Sequence, residues 1–572
     1  MQRPGELTAS RRRSRIRFVL FSVVFCFSIV TLSLFRIQVS SHEYYLSVAD
    51  AQHTHTVQLE PRRGRIYDRS GYLLAGNTSV VTFEVYWPSV IQEQLPRIDS
   101  LVARLGDHAL VGVPVERWSS NQTIARSVPL ETASPILAGG VPAGVNWRIG
   151  SVRSYPMGEM CAAVLGRWSP DLCEGLEMSM DHLLRGEAGF TVVERSAFPG
   201  LHMPSLDAER RPSRDGVDLR LTIDSRFQTI VQEELQRGVD ESGAAWGAAV
   251  VMDPWSGEIL ALGSYPVRSG SGCLAVNHCI SGYHEPGSTF KVVTLAACLE
   301  EGVLVPSDTF DCSRGQIPVA DRIISDCHRY GTLTIEEIAA HSSNVGIVKM
   351  VSLLPDSVIF SYCRRMGFGS RTGIELPGES EGILRPPDQW SGLSRASLAI
   401  GQEVAVTPLQ LACAFCAIAN GGRLVRPRLI LASCDGERWR DWADLPASRA
   451  LEAGTSSMVL RMLETAVEEG TGTTAAVPGI RVAGKTGTAE RLSQGEDEYL
   501  SAFVGLLPAE SPDLVIAVVF DGPDYEYRFG SALAAPAFAT MAREILAVEP
   551  ELAMGHGSSP DSELLAGRWG TE

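Results

Sequence analysis

Lysine is almost missing from this sequence. Only three of the 50 Lys and Arg residues are lysine: Lys291, Lys349 and Lys485. Arginine keeps its proton in proteins and cannot serve as a base. Amine chemistry is therefore confined to three positions. No basic patch occurs outside the N-terminus, and the net charge is −17. That balance argues against nucleic-acid binding. No internal repeat and no long low-complexity segment is present, which excludes a repeat architecture. Long apolar runs are also scarce. One uncharged run, Phe18 to Phe35, stands out, so a polytopic membrane protein is excluded. What remains is an ordinary apolar content spread over 572 residues. That is too long for one domain and predicts two folded units with appendages.

The apolar run is long enough to cross a bilayer. Arg3, Arg11, Arg12, Arg13, Arg15 and Arg17 precede it against one acid, Glu6. Arginines on that side keep the N-terminus cytoplasmic and place everything after about Val39 outside. A cleaved signal peptide is the rival reading. The run is long for one, and no small-x-small site follows it directly, so an uncleaved anchor is expected. Twelve cysteines are present; Cys26 lies in the anchor, and the other eleven are an odd number. The spacings Cys161/Cys173 and Cys312/Cys327 would suit local disulfides in an oxidising compartment, although spacing does not reveal connectivity. Cys298, Cys413 and Cys416 sit in apolar helical stretches and read as core thiols. Cys273, His278, Cys279 and His284 match no usual zinc-ligand spacing and read as a satisfied loop, not a metal site.

The stretch that carries chemistry is Glu285-Pro286-Gly287-Ser288-Thr289-Phe290-Lys291. Pro286-Gly287 breaks the preceding chain, and an apolar run of helical length continues to Gly302. Ser288 is thus expected at a helix N-terminus, with Lys291 three residues on along the same face. An amine whose pKa is lowered by burial or by a nearby cation can take the serine proton. Free N–H groups at the helix start suit an oxyanion. Alone, S-x-x-K is weak: a Ser N-cap followed by a surface Lys is the ordinary reading. The scarcity of lysine changes the balance. A second lysine lies in Gly484-Lys485-Thr486-Gly487-Thr488, and Ser342-Ser343-Asn344 falls between them. S-x-x-K, S-x-N and K-T-G, in that order and at domain-scale spacing, resemble the three-part signature of penicillin-interacting serine enzymes.

Flanking blocks narrow the resemblance. Arg62-Arg63-Gly64-Arg65-Ile66-Tyr67-Asp68-Arg69-Ser70-Gly71 follows the anchor. Arg153-Ser154-Tyr155-Pro156, Ala162-Ala163-Val164-Leu165-Gly166, Gly175-Leu176-Glu177 and Asp181-His182-Leu183-Leu184-Arg185-Gly186 come later. They are similar to the non-catalytic pedestal of class B penicillin-binding proteins, with Val164 in place of the usual His and Met180 in place of the usual Tyr. An alternating strand leads to Asp224, a helix follows from Ser225, and Gly247–Met252 and Glu258–Ser264 form a hairpin around Asp253-Pro254-Trp255-Ser256-Gly257. That entry resembles the family's transpeptidase domain. Gly401-Gln402-Glu403 with Val406-Thr407-Pro408-Leu409-Gln410 resembles G-Q-G-x-x-x-T-P-L-Q. Glu403 stands where Gly is usual, and a required positive φ would be costly for Glu.

The resemblance implies an α+β penicillin-binding serine transpeptidase fold: an antiparallel sheet flanked by helices plus an all-helical subdomain. An N-terminal mostly-β pedestal and one transmembrane helix would precede it. The expected organisation is a cytoplasmic segment 1–17, an anchor 18–38, a pedestal 39–211, a transpeptidase domain 212–548 and a disordered tail 549–572. It also implies roles. Ser288 is the nucleophile, Lys291 its base and Ser342 a proton relay. Asn344, Lys485, Thr486, Gly487 and Thr488 bind substrate, and the N–H groups of Ser288 and Thr488 form the oxyanion hole. No metal or organic cofactor is implied. The donor would be the D-alanyl-D-alanine end of a cell-wall stem peptide and the acceptor a side-chain amine on a neighbouring stem, with β-lactams mimicking the donor. Implied partners are a polytopic membrane glycosyltransferase and divisome proteins at the cytoplasmic membrane, since no glycosyltransferase domain precedes the pedestal. A hydrolysing β-lactamase or carboxypeptidase is disfavoured, because no E-x-x-L-N segment is present to hold a deacylating water. A multi-span β-lactam sensor and a silent scaffold also fit less well. Glu285 before Pro286-Gly287-Ser288 resembles the septal, division-type enzymes; the elongation type is the alternative.

Overall fold

The computed structural model describes residues 4–110, 120–195, 202–204, 210–268, 276–493 and 496–555. Arg3, Cys273 and residues 556–572 of the expected tail lie outside them. Contact density divides the chain into two compact units, Met1–Arg62 with Glu187–Arg214, and Arg63–Gly186 with Asp215–Glu572.

In the first unit the uncharged run folds as the helix Pro4–Phe35 and continues through a π-helical turn, Arg36–Ser40. With no water in a bilayer core, a helix is what lets such a run satisfy its own backbone. Among the described residues it is the one single helix long and apolar enough to cross a membrane. A further helix, His42–His53, leads into the strand Thr54–Leu59. That strand pairs antiparallel with Gly189–Arg195, which in turn pairs with His202–Pro204 and Arg210–Arg211.

In the second unit strands from the pedestal range share a sheet with strands from the transpeptidase range. Strand Asp218–Leu221 runs parallel to Ile66–Tyr67 on one side and antiparallel to Ile430–Cys434 on the other. Beyond Ile66–Tyr67 the sheet continues into Leu73–Val85, which carries Gln122–Pro129 and Val145–Ser154. A buried ionic cluster ties the pedestal blocks together. Glu177, fully buried, accepts from Arg63 at 2.7 Å and from Arg153 at 2.7 Å, while Arg63 also reaches Asp181 at 2.6 Å. Val164 and Met180 are buried core residues.

The catalytic sheet has five antiparallel strands in the order Ile259–Tyr265, Trp246–Met252, Leu514–Asp521, Glu496–Leu507 and Ala483–Ser493. Every residue of Leu514–Asp521 is buried, as its near-continuous apolar sequence requires of a central strand covered on both faces. Helices Ser225–Ser242 and Ala534–Val548 cover one face, with Phe227, Leu235, Phe538 and Met541 packed on Phe503, Val518 and Phe520. The other face meets a helical layer centred on Pro408–Ala419, buried along its whole length. Thr407 and Gln410 cap that helix reciprocally, which satisfies orphan N–H groups at its start. Glu549 and Leu552, expected in the disordered tail, are placed: Glu549 pairs with Arg226 at 2.8 Å, and Leu552 packs on the helices behind the sheet. Glu549 has an ionic partner and Leu552 an apolar one, and the Gly/Ser-rich stretch begins only beyond them.

The eleven described cysteines are all free thiols. Neither suggested pair is joined: Cys161 is buried in the core while Cys173 is partly exposed, and Cys312 is buried while Cys327 is exposed. Among the described residues no cluster of three His, Cys, Asp or Glu suits a metal. His278 instead stacks on Trp246, with ring centroids 4.2 Å apart.

Candidate active site

Gly287–Phe290 forms a 3₁₀ turn, and the α-helix Lys291–Glu300 continues from it. Ser288, expected at the helix N-terminus, therefore lies one 3₁₀ turn ahead of the α-helix. In a 3₁₀ turn residues i and i+3 eclipse, so the Ser288–Lys291 spacing still sets both on one side. Ser288 is half-buried, whereas Lys291 is fully buried.

Two glycines bring this turn against the edge strand Ala483–Ser493. Gly287 has φ +53°, and a Cβ there would lie 2.4 Å from the Thr488 carbonyl oxygen. A Cβ on Gly487 would lie 2.8 Å from the Thr289 methyl and 2.9 Å from the Pro286 carbonyl oxygen. Only glycine permits that approach. It is the physical reason for a Gly before the serine and for the Gly of the K-T-G segment.

The third wall comes from the helical layer. Helix Ile335–His341 ends at Ser342, and Asn344–Val351 begins the next helix, as the break expected around Ser342-Ser343-Asn344 requires. Ser342 adopts a left-handed conformation, φ +60° and ψ +37°. Such a conformation costs a non-glycine residue about 1–2 kcal/mol. Here it turns two oxygens of one residue onto a single amine. Lys291 Nζ donates to the Ser342 carbonyl at 2.6 Å, to Ser342 Oγ at 3.1 Å and to Asn344 Oδ1 at 2.7 Å.

Burial pushes the Lys291 ammonium down to about 7, against the opposing pull of Asp326. A neighbouring cation was the other expected cause; the depression on Lys291 comes from loss of solvent. Lys485, also fully buried, is pushed well down by burial and by the charge on Lys291. The two buried amines disfavour each other's charge.

Asp326 is the residue that sequence reasoning missed. Its carboxylate accepts from Ser343 Oγ at 2.9 Å, from the Val345 N–H at 3.0 Å and from the Asn344 N–H. It thereby caps the helix that carries Asn344. Asn344 Nδ2 donates to the Ser325 carbonyl at 2.8 Å. The Asn344 side chain is thus oriented by protein contacts, with its carbonyl on Lys291.

Ser288, Ser342, Asn344, Thr486 and Thr488 open onto one cleft of about 680 Å³. Lys291 and Lys485 lie behind its wall, and Gly487 is in the strand between. Thr486 Oγ1 shares a 2.7 Å hydrogen bond with Thr471 Oγ1. Thr488 Oγ1 accepts from the Gly530 N–H at 3.2 Å, which leaves its own proton to donate. Tyr330, stacked on His341 with centroids 5.4 Å apart, lines the same cleft, as do Tyr499, Arg528 and Phe529.

Glu403 does adopt the strained conformation that its Gly-like position foreshadowed, at φ +56°. Its carboxylate accepts from Ser394 Oγ at 2.7 Å, and its N–H donates to Glu285 Oε1 at 2.9 Å. Nearby, the Gly287 N–H donates to the Gly401 carbonyl at 3.1 Å. Two hydrogen bonds at Glu403 offset the strain and tie this loop to the turn that carries Ser288. Burial, together with the Glu403 charge, raises the Glu285 pKa, while the Glu403 N–H opposes the rise. The third lysine, Lys349, takes no part; it donates to the Asp311 carbonyl.

Comparison with known proteins places this geometry. Residues 247–543 match the model of the penicillin-binding protein transpeptidase domain, and residues 58–170 match the penicillin-binding protein dimerisation domain. The chain is 34% identical to stage V sporulation protein D of Bacillus subtilis, covering 94% of this chain and 86% of that protein. It is 30% identical to the peptidoglycan D,D-transpeptidase FtsI of Escherichia coli, over 90% of this chain and 89% of that one. Among solved structures, penicillin-binding protein 3 from Mycobacterium tuberculosis in complex with aztreonam superposes with a TM-score of 0.67 at 28% identity. That match covers 86% of this chain and 97% of the other.

Proposed function

Since the chain belongs to the class B penicillin-binding proteins, the peptidoglycan D,D-transpeptidases, we propose that it cross-links stem peptides through an acyl-ester on Ser288. The observation that carries this assignment is the buried Lys291, held by Ser342 and Asn344 and poised near neutrality.

In its neutral form Lys291 has a lone pair for the Ser288 proton. Ser288 Oγ then attacks the carbonyl carbon of the penultimate D-alanine. The oxyanion forms between the N–H groups of Ser288 and Thr488; losing one such donor typically costs about 3 kcal/mol of transition-state stabilisation. Collapse breaks the peptide bond. The proton on Lys291 passes through Ser342 to the leaving D-alanine amine, which departs and leaves the acyl-ester. The acceptor's side-chain amine attacks that ester, returns a proton by the same route and regenerates Ser288. The Thr486 and Thr488 hydroxyls bind the donor's terminal carboxylate, and Asn344 meets the donor backbone through its amide N–H. Lys485 faces that carboxylate too. Because burial disfavours its charge, an arriving carboxylate would draw a proton onto it. β-Lactams enter by the same first step.

The arginine-rich N-terminus supports a cytoplasmic start, a single anchor in the cytoplasmic membrane and an extracytoplasmic catalytic unit. Residues 39–211 act as a docking pedestal for a polytopic glycosyltransferase and divisome proteins, and the role is septal, on the strength of Glu285 before the nucleophile motif. The test is fluorescent penicillin with the full chain in detergent, beside Ser288→Ala. A stable labelled band lost in the variant is expected. Antibiotic turnover without a band would make the chain a hydrolase; neither band nor turnover from folded protein would make it a scaffold. A fluorescent fusion spread along the side wall, absent from division sites, would overturn the septal role in favour of elongation.

A further inference from the structure

Arg528 stands out on the wall of the catalytic cleft. Its guanidinium carbon lies 3.6 Å from the centroid of Tyr525 and 4.2 Å from that of Phe529. Nη1 donates to the Tyr525 carbonyl at 2.5 Å. Two rings thus lie against the guanidinium, whose N–H groups other than the one on Tyr525 can still donate. No carboxylate among the described residues pairs with it. Every other feature here fixes its place. The next residues are bound to the catalytic strand: the Gly530 N–H donates to Thr488 Oγ1 at 3.2 Å, and the Phe529 carbonyl accepts from Ser501 Oγ at 3.1 Å. A Cβ on Gly530 would lie 2.4 Å from the Ala502 carbonyl oxygen. The position of Arg528 is therefore registered to Thr488 by backbone contacts, not left to a flexible loop.

The direction of the cleft says what Arg528 meets. A donor whose terminal carboxylate sits at Lys485 and Thr486, with its scissile carbonyl between Ser288 and Thr488, must extend its acyl side past Thr488. Ala489, Glu490, Tyr499, Arg528 and Phe529 line that end. A planar guanidinium held against two rings, with its donor edge open, suits bidentate recognition of a carboxylate. We propose that Arg528 is a specificity-determining residue that binds a carboxylate carried on the acyl side of the donor, upstream of the scissile bond. The assignment rests on the transpeptidase reading above and names the substrate class of that same site.

The experiment compares two penicillins that differ by one side-chain carboxylate, benzylpenicillin and carbenicillin, as acylating agents of the full chain in detergent. Second-order acylation rates are measured for the wild type, Arg528→Gln and Arg528→Lys, at low and high salt. For Arg528→Gln, acylation by carbenicillin should fall about tenfold or more relative to benzylpenicillin, as expected for loss of one charge-assisted contact. Arg528→Lys should recover part of that selectivity, and added salt should erode it in the wild type but not in Arg528→Gln. An equal fall for both penicillins would mean that Arg528 only packs the wall, and no change in either would mean that it does not meet the acyl group; both overturn the proposal. Failure of both penicillins to label Ser288 in the wild type would instead bring down the transpeptidase reading, and this assignment with it.

Discussion

The rate of acylation should follow the titration of one amine. Lys291 is buried without a carboxylate contact and sits near 7 instead of its ordinary 10.5. On the proposed mechanism its neutral form is the base, so the rate should rise with pH through that value and then level. With a pKa of about 7 the neutral fraction grows about tenfold between pH 6 and pH 8 and hardly at all above. An ordinary lysine would give about a hundredfold rise over the same interval and would still climb about tenfold per unit beyond it. The two cases differ in both slope and plateau. The assay is the second-order rate of acylation by benzylpenicillin, followed by stopped flow from about pH 5.5 to 9, because that constant reports the free enzyme. Lys291 and Lys485 are coupled, so the break belongs to the pair. A rate still rising tenfold per unit above pH 8, or one flat throughout, would refute the assignment of Lys291 as a base depressed by burial.

Other perturbations follow from the same contacts. Asp326→Asn removes the charge that raises the Lys291 pKa, so the break in the pH profile should move to lower pH; an unmoved break would mean that Asp326 serves only as a helix cap. Gly287→Ala forces a Cβ to 2.4 Å from the Thr488 oxygen at φ +53°. Labelling by penicillin should be lost, and full labelling of the variant would show that the turn and strand need not touch. Glu177→Ala leaves Arg63 and Arg153 buried with their shared carboxylate gone. Breaking such a cluster costs about 3–5 kcal/mol, which denaturant unfolding of the full chain should register; a change under about 1 kcal/mol would contradict the burial of the cluster. In Glu403→Gly, relief of about 1–2 kcal/mol of left-handed strain is set against a lost Ser394–carboxylate contact of about 1.5–3 kcal/mol. Stability should therefore stay within about 2 kcal/mol, and a larger loss would show that the carboxylate does more than hold Ser394.

Much of this site was legible locally. The Ser288–Lys291 spacing, the break after His341, the hairpin around Asp253-Pro254 and the apolar strand from Leu514 are written in short-range patterns, because turns, helices and strands impose their periods on neighbouring residues. The three motifs and their order therefore pointed to the chemistry and to the fold. What the sequence could not supply were properties made by distant segments meeting. Asp326 reaches Asn344 across a loop. Glu285 meets Glu403 from 118 residues away. Arg528 owes its place to Thr488 and Ser501, and the depressed pKa of Lys291 comes from its total burial. Local pattern chose which residue types were present and which element each would join. Only the tertiary structure decided their pKa values, their strain and their orientation, because desolvation and hydrogen-bond geometry are properties of everything packed around a group and not of its neighbours in the chain.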